Sequence, residues 1–309
     1  MPVHPILALL VANGPVLTDG AWGTQLQARG LALGEFPDLW NVTHPERVSE
    51  VARAYVEAGS HVILTNTFGA NRIRLAEAGL AERAVELNEA GARLSKEAAG
   101  DYALVFASIG PCGKMLAADE VTEEELHAAF EEQAQALKRG GADGLVIETM
   151  CDLQEAMIAV RAAKSTGLPI VASMVFDSGA ANDRTMMGIT PEQAAAGLIE
   201  AGADVIGANC GQGIAGFVPV CARLSAAAPG VPIWIKANAG LPELHEGKAV
   251  YATSALQFAS HLPALLSAGA TFIGGCCGTS PDFIKTIAAS AASGTPSVAE
   301  GHPAPAPRA

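Results

Sequence analysis

Short apolar runs recur along the chain, separated by longer segments rich in alanine, leucine and glutamate. The apolar runs predict buried strands at residues 16–22, 61–68, 103–110, 144–150, 169–176, 205–210, 232–238 and 271–276. The longer segments predict helices at residues 45–58, 83–99, 122–139, 153–166, 191–201, 217–227, 254–267 and 281–289. Near-continuous apolar strands that alternate with helices are typical of a parallel sheet covered on both faces.

Local signals mark several helix starts. Thr122 with Glu125 forms a capping-box pattern, and Pro191 and Pro281 each follow a hydroxyl residue at the start of a predicted helix. Eight strand–helix units in about 250 residues predict an α/β fold of the (β/α)8 TIM-barrel kind, in one domain. The alternative is an open doubly wound sheet, but no glycine-rich dinucleotide-binding pattern follows the first strand.

The two ends of the chain differ from the rest. The first dozen residues predict a short helix that closes the lower end of the barrel. The last residues contain Pro296, Pro303, Pro305 and Pro307 with few apolar side chains, which is typical of a disordered tail. We therefore predict a barrel over residues 1–290 and a disordered tail over residues 291–309.

Composition narrows the classes of function. The formal net charge is -13, with 32 acidic against 19 basic residues, so partners that need a cationic surface, such as nucleic acid and anionic membranes, are disfavoured. No secretion signal opens the chain, and no apolar run is long enough to cross a bilayer. Six cysteines in 309 residues are too sparse for a disulfide scaffold. The simplest expected compartment is a reducing cytoplasm.

Two cysteine motifs carry the strongest chemical signal. Cys276 and Cys277 are adjacent and flanked by glycines, and Cys210 follows another predicted strand. Three thiols at strand ends suit zinc, and three sulfurs leave one of four positions open, as in catalytic zinc sites. Neighbouring residues of an extended strand point to opposite faces, so the flanking glycines must permit a turn before both sulfurs can bind one metal.

Barrel geometry supports a common site for these cysteines. In a (β/α)8 barrel the active site lies at the carboxyl ends of the strands, and alternate strands contribute to one layer. Cys210 ends the sixth predicted strand, and the cysteine pair ends the eighth. Asp19 ends the first predicted strand, which neighbours the eighth in a closed barrel. Glu148 ends the fourth, where a buried carboxylate needs a partner.

Each candidate also has a plainer interpretation. Cysteine is often a small buried hydrophobe, which is our prediction for Cys112, Cys151 and Cys221, and a strained vicinal disulfide is possible at the cysteine pair. Asp19 can cap a loop, and Asn66 and Asn238 can satisfy loop backbone. Lys236, two residues before Asn238, points into the barrel and can either form a Schiff base or pair with a buried charge. The Schiff-base hypothesis leaves the three cysteines unexplained.

These motifs together resemble the homocysteine S-methyltransferase family, which includes betaine- and S-methylmethionine-dependent enzymes and the homocysteine domain of cobalamin-dependent methionine synthase. The matching stretches cover nearly the whole chain and begin at Asp19, Thr65, Gly110, Glu148, Gly207, Asn238 and Gly274. The resemblance implies that Cys210, Cys276 and Cys277 bind zinc. It also implies that Asp19, Gly20 and Glu148 hold the amino-acid end of homocysteine, with Asn66 and Asn238 as further substrate-binding candidates.

The resemblance predicts a zinc-dependent methyltransferase that converts homocysteine to methionine. Departures from the family pattern, such as Ala237 where proline is common and the loop of residues 177–189, affect the rim of the site and leave the methyl donor open. The donor is S-methylmethionine, a betaine-like cation or a methylcorrinoid on a separate protein, since no cobalamin-binding motif is apparent. The alternative function is a thiol-binding subunit of a corrinoid methyltransferase system. The oligomeric state is not predicted.

Overall fold

The computed structural model describes residues 4–245 and 248–294, and eight parallel strands within them form a barrel. These strands are β1 (Val16–Leu17), β2 (Val62–Ile63), β3 (Leu104–Ile109), β4 (Gly144–Met150), β5 (Ile170–Met174), β6 (Val205–Gly213), β7 (Ile233–Asn238) and β8 (Ala270–Gly275). Their order in the sheet is β1-β8-β7-β6-β5-β4-β3-β2. A single parallel bridge between Thr18 and Val62 joins the two ends. The predicted (β/α)8 barrel is confirmed, and the open sheet is wrong.

Helices surround the barrel in the expected alternation. In the described residues they are α1 (Pro5–Val11), α2 (Gly23–Gln27), α3 (Trp40–Thr43), α4 (Pro45–Glu57), α5 (Arg72–Ala76), α6 (Ala84–Ala99), α7 (Glu123–Arg139), α8 (Leu153–Ala163), α9 (Pro191–Ala201), α10 (Ile214–Ala227), α11 (Ala255–Ala259), α12 (Leu262–Ser267) and α13 (Pro281–Gly294). Short 3-10 helices lie at Pro37–Leu39, Ala81–Arg83, Leu116–Ala118 and Lys164–Thr166. The capping box predicted at Thr122 and Glu125 is present. None of these helices combines the length and apolar character that a membrane crossing requires.

Several elements differ from the prediction, most clearly toward the C-terminal end. The helix predicted at residues 254–267 is two helices, because Pro263 lacks the N–H that a continuous helix would need and instead lies in the first turn of α12. An unpredicted antiparallel hairpin pairs Pro242–His245 with Lys248–Tyr251. Helix α13 continues to Gly294, so the first residues of the predicted tail are helical. The predicted disorder of residues 295–309 lies outside the described residues.

The barrel interior is filled from its lower end. Leu7 of α1 is fully buried and belongs to a cluster with side chains from the strands. The other members are Val16, Val62, Leu64, Phe106, Val146, Val171, Val205, Trp234 and Phe272. Helix α1 therefore closes the lower end of the barrel, as predicted. The polar side chains that line the cavity lie at the opposite end.

The seam between β1 and β2 is the least regular part of the sheet. Both strands are only two residues long, shorter than predicted, because the chain leaves the ladder after Leu17 and Ile63. Beyond the bridge, a side chain replaces a backbone partner, since Asp19 Oδ2 accepts a hydrogen bond of 2.7 Å from the Leu64 amide. The Asp19 carboxylate thus continues the connection between β1 and β2 beyond the last backbone bridge, toward the upper end of the barrel.

Gly274 of β8 packs against Thr18 and Asp19 beside this seam, which gives a stability prediction. A Cβ added there would overlap Thr18 Oγ1 and lie 2.5 Å from the backbone oxygen of Asp19. We expect Gly274→Ala to lower the free energy of unfolding by about 1–3 kcal/mol, the usual effect of overpacking. Urea unfolding measures this change. Gly23→Ala is the control, because a Cβ at Gly23 has no atom within 4 Å; equal stability of the two variants would contradict the prediction.

Candidate functional site

The three predicted metal-binding cysteines meet at the upper end of the barrel. The sulfurs of Cys210, Cys276 and Cys277, here called the cysteine cluster, all lie within 4.8 Å of one another. The chain turns after β8, since the Cys276 amide donates to Ala237 O at 2.7 Å and Cys277 O accepts from the Ala239 amide at 2.9 Å. This turn brings two adjacent sulfurs to one side. Both are free thiols, so no vicinal disulfide is present.

Special backbone conformations produce the turn and aim the sulfurs. Cys210 has φ of 63°, a left-handed conformation that non-glycine residues seldom adopt and that is most often found at functional sites. Gly278, at φ 80°, follows the cysteine pair, and a Cβ there would overlap the Tyr251 ring. Thr279 Oγ1 donates to Cys276 O at 2.7 Å and accepts from the Ala21 amide at 3.1 Å, which ties the turn to the first strand.

The protonation of the cysteine cluster is strongly coupled. Hydrogen bonds from Cys276 and Cys277 lower the pKa of Cys210, and the bond to Cys210 raises the pKa of Cys276 well above its usual range. One sulfur therefore ionises easily and the others resist, because three thiolates this close together repel one another. A divalent cation would remove that repulsion, so the donor set fits zinc.

Asn238 supplies a further observation in favour of a metal. Its side-chain nitrogen donates to Gly211 O at 2.9 Å and lies 3.8 Å from Cys210 Sγ. Its Oδ1 is buried and has no hydrogen-bond partner among the described residues. An orphaned carbonyl oxygen on a side chain that contacts Cys210 is an available fourth ligand.

A cavity of about 560 Å³ opens beside the cysteine cluster. Besides the three cysteines, its lining includes Gly20, Trp22, Phe36, Asp38, Asn66, Phe68, Arg74, Ser108, Glu148 and Lys236. The predicted metal-binding cysteines and the Glu148 carboxylate at the end of β4 therefore line the same cavity. Its size suits a small molecule.

Glu148 is a buried carboxylate on the cavity wall. Its Oε1 accepts a hydrogen bond of 2.5 Å from Ser108 Oγ, and its relative exposure is 7%. Burial raises the pKa of Glu148, while the positive charge of Lys236 and the Ser108 hydrogen bond oppose that rise. Ser108 is a partner that the sequence did not reveal, because nothing local links residues 108 and 148.

Asp19 and Lys236 form a buried ion pair. Lys236 Nζ contacts Asp19 Oδ1, and both side chains are almost fully buried. Asp19 Oδ2 accepts hydrogen bonds of 2.7 Å from Trp22 Nε1 and from the Leu64 amide. Both oxygens of Asp19 therefore have protein partners, so a substrate contact by Asp19 remains a prediction. The paired Lys236 favours the buried-charge interpretation over the Schiff base.

Two other predicted residues have structural partners as well. Asn66 Nδ2 donates to Pro37 O at 2.7 Å and to Asn41 Oδ1 at 3.0 Å, so its amide positions the 3-10 helix beside the cavity. Gly20 is closely packed, because a Cβ there would lie 2.7 Å from both Thr279 Oγ1 and Tyr55 Oη. Glycine at position 20 therefore allows the Thr279 and Tyr55 side chains to pack closely against the backbone that lines the cavity. Substrate binding by Asn66 and Gly20 remains a prediction.

Sequence reasoning missed two residues at the rim. Tyr251 lies on the unpredicted hairpin, and burial together with the nearby Cys277 sulfur raises its pKa to about 12. Asp38 lines the cavity and accepts from the Gly69 amide at 2.9 Å, and burial raises its pKa to about 6. Neither had a signal in the sequence pattern. Of the other cysteines, Cys112 and Cys221 are buried, as predicted, whereas Cys151 is half-buried.

Sequence comparisons place this geometry among known proteins. A model of the homocysteine S-methyltransferase family matches residues 16–291. The chain is 30% identical over 301 residues to the methionine synthase of Mycobacterium leprae and 31% identical over 293 residues to that of Mycobacterium tuberculosis. The two alignments cover 91% and 89% of this chain, but 25% and 24% of the synthases. The chain therefore spans about a quarter of the length of these relatives.

A solved structure of a homocysteine methyltransferase also matches this chain. The metallated form of the homocysteine methyltransferase MmuM from Escherichia coli matches with a TM-score of 0.77 and 26% identity, covering 93% of this chain and 99% of that one. These matches confirm the resemblance that the motifs indicated. Because the family model matches almost the entire described barrel, this protein belongs to the homocysteine S-methyltransferase family.

Proposed function

We propose that the protein transfers a methyl group to the thiol of homocysteine and so produces methionine, with zinc at the cysteine cluster. The observation that supports this most directly is the cysteine cluster, with sulfurs within 4.8 Å of one another on the wall of a cavity that also contains Glu148. A thiol-binding site and a carboxylate for an ammonium group lie in one cavity. Homocysteine has both a thiol and an ammonium group, so it could occupy the two positions at once.

The cysteine cluster would hold the metal through three sulfurs, with Asn238 Oδ1 available for the fourth position when substrate is absent. Bound zinc would supply one kind of chemistry here, lowering the pKa of a thiol that joins it so that homocysteine is a thiolate near neutral pH. The thiolate sulfur then attacks the methyl carbon of the donor in line, and the donor leaves with the electron pair of the broken bond. The cavity contributes orientation and excludes water.

Glu148 recognises the substrate ammonium in this proposal. Ser108 occupies one of its oxygens, and the other has no hydrogen-bond partner among the described residues. No general base is needed at this position, because thiol ionisation belongs to the metal site. Asp19 supports the same wall, because its Oδ2 accepts a hydrogen bond of 2.7 Å from Trp22 Nε1.

The donor remains S-methylmethionine, a betaine-like cation or a methylcorrinoid carried by a separate protein. The methionine synthases that this chain matches are about four times longer than the matched part, so the additional activities of those proteins need not belong to this chain. The second function, a thiol-binding subunit without turnover of its own, has no specific observation in its favour.

Two measurements test the proposed function. We expect methionine to form when the protein is mixed with homocysteine and at least one donor of the three kinds, with detection by mass spectrometry. At the zinc absorption edge we expect the sulfur count to rise from three to four on adding homocysteine, because the substrate thiol joins as thiolate and releases a proton. An unchanged sulfur count at saturating homocysteine would contradict the mechanism.

A further inference from the structure

Lys236 is a buried cation with unused hydrogen-bonding capacity. Its side chain lines the cavity, its relative exposure is 1%, and the Trp234 ring centroid lies 5.9 Å from Nζ. An ammonium group has three N–H donors. Asp19 accepts one of them, and no other acceptor contacts Nζ in the described part of the chain. A buried cation in this state can bind an anion that enters the cavity.

The opposite charge lies nearby but does not make contact. Glu148 also lines the cavity, and the positive charge of Lys236 is near enough to lower the pKa of that carboxyl group. Yet the ion pairs within 4.0 Å among the described residues join Lys236 to Asp19 and not to Glu148. A free carboxylate oxygen and free ammonium N–H groups therefore face the same cavity without neutralising each other.

An α-amino acid matches this pattern, because its ammonium and carboxylate are attached to one carbon. We propose that Lys236 binds the α-carboxylate of the amino-acid substrate while Glu148 binds its ammonium group. This inference rests on the proposed function, since it assigns a contact to homocysteine in the same cavity. Asp19 cannot replace Lys236 in this role, because it is itself an anion with both oxygens occupied.

Arg74 is the other cation that lines the cavity, and its position favours a different role. Its guanidinium lies 5.9 Å from the centroid of the Phe68 ring, and its charge acts on Asp38 at the rim. Lys236, in contrast, lies on β7 two residues before Asn238, contacts Asp19, and has a charge that acts on Glu148. The cysteine cluster, Glu148 and Lys236 line one cavity, so a substrate held by its sulfur and its ammonium group would have its carboxylate within reach of Lys236.

Binding of two matched ligands tests the assignment. Methionine has the carboxylate, whereas 3-(methylthio)propylamine has the same thioether and ammonium group without it. Calorimetry on the intact protein should show that methionine binds about 10- to 100-fold more tightly, the effect of a charge-assisted hydrogen bond. In Lys236→Met that preference should disappear, with the affinity for the amine almost unchanged.

Removing Lys236 leaves Asp19 unpaired, so a second variant is needed. Lys236→Met/Asp19→Asn removes both charges and should show the same loss of preference in a folded protein. Equal weakening of both ligands in the two variants would overturn the inference, because Lys236 would then act only by holding Asp19. A preference kept in both variants would also overturn it. Failure of the proposed function would be distinct, since the wild-type protein would then bind methionine but form none from homocysteine with any donor.

Discussion

Cys276→Ser protein should retain less than about a tenth of the zinc bound by the wild-type protein, and methyl transfer should fall with it. The sulfur of Cys276 is one of three within 4.8 Å of one another, and a serine hydroxyl is not ionised near neutral pH. Loss of an outer partner of a metal ligand already lowers affinity about 10- to 100-fold, and loss of a ligand itself should exceed that. Elemental analysis of purified protein gives the metal content directly.

The matched control for this variant is Cys221→Ser. Cys221 is fully buried between α10 and the end of α12, where its sulfur lies 3.6 Å from Ala268 O, an acceptor that a serine hydroxyl can also use. This control should keep one zinc per chain. Full zinc occupancy in a folded Cys276→Ser protein would show that the cysteine cluster is not the metal site.

Glu148→Gln should raise the dissociation constant for homocysteine about 10- to 100-fold, because a charge-assisted hydrogen bond contributes about 1.5–3 kcal/mol. Glutamine keeps an oxygen that can accept from Ser108, so the wall of the cavity is preserved while the negative charge is lost. Zinc content should not change. Calorimetric titration with homocysteine and elemental analysis of the same sample provide both values.

Glu155→Gln is the control for a buried carboxylate outside the cavity. Glu155 is also a buried glutamate, and its Oε1 accepts from the Cys112 amide at 2.7 Å. This variant should bind homocysteine as the wild-type protein does. If Glu148→Gln bound homocysteine normally and lost only turnover, Glu148 would act on the reacting atoms instead of the ammonium group.

Much of the fold was predictable because helical and strand periodicities alternate along the chain. Helix α9 and strand β4, which carries Glu148, match their predicted bounds, whereas β6 begins as predicted but continues three residues past Cys210. The first two strands were predicted too long, since an apolar run does not show where a ladder ends. That boundary depends on Asp19, whose side chain replaces a backbone acceptor for Leu64.

The site was predictable to the extent that its chemistry lies in local motifs. The glycine-flanked cysteine pair indicated a turn, and the structure contains one that brings Cys276 and Cys277 to the same side. Contacts between distant residues were not predictable in the same way. The pairing of Lys236 with Asp19, and of Ser108 with Glu148, depends on how the strands close into a barrel.

The Asp19 carboxylate also has an evolutionary consequence. It completes the seam between β1 and β2 through Leu64, and it pairs with Lys236, which lines the cavity. A lineage that exchanged the lysine to accept a different substrate would leave an unpaired buried anion at the least regular junction of the sheet. We therefore expect residues 236 and 19 to change together in evolution, because the loss of either one leaves the other as an unpaired buried charge.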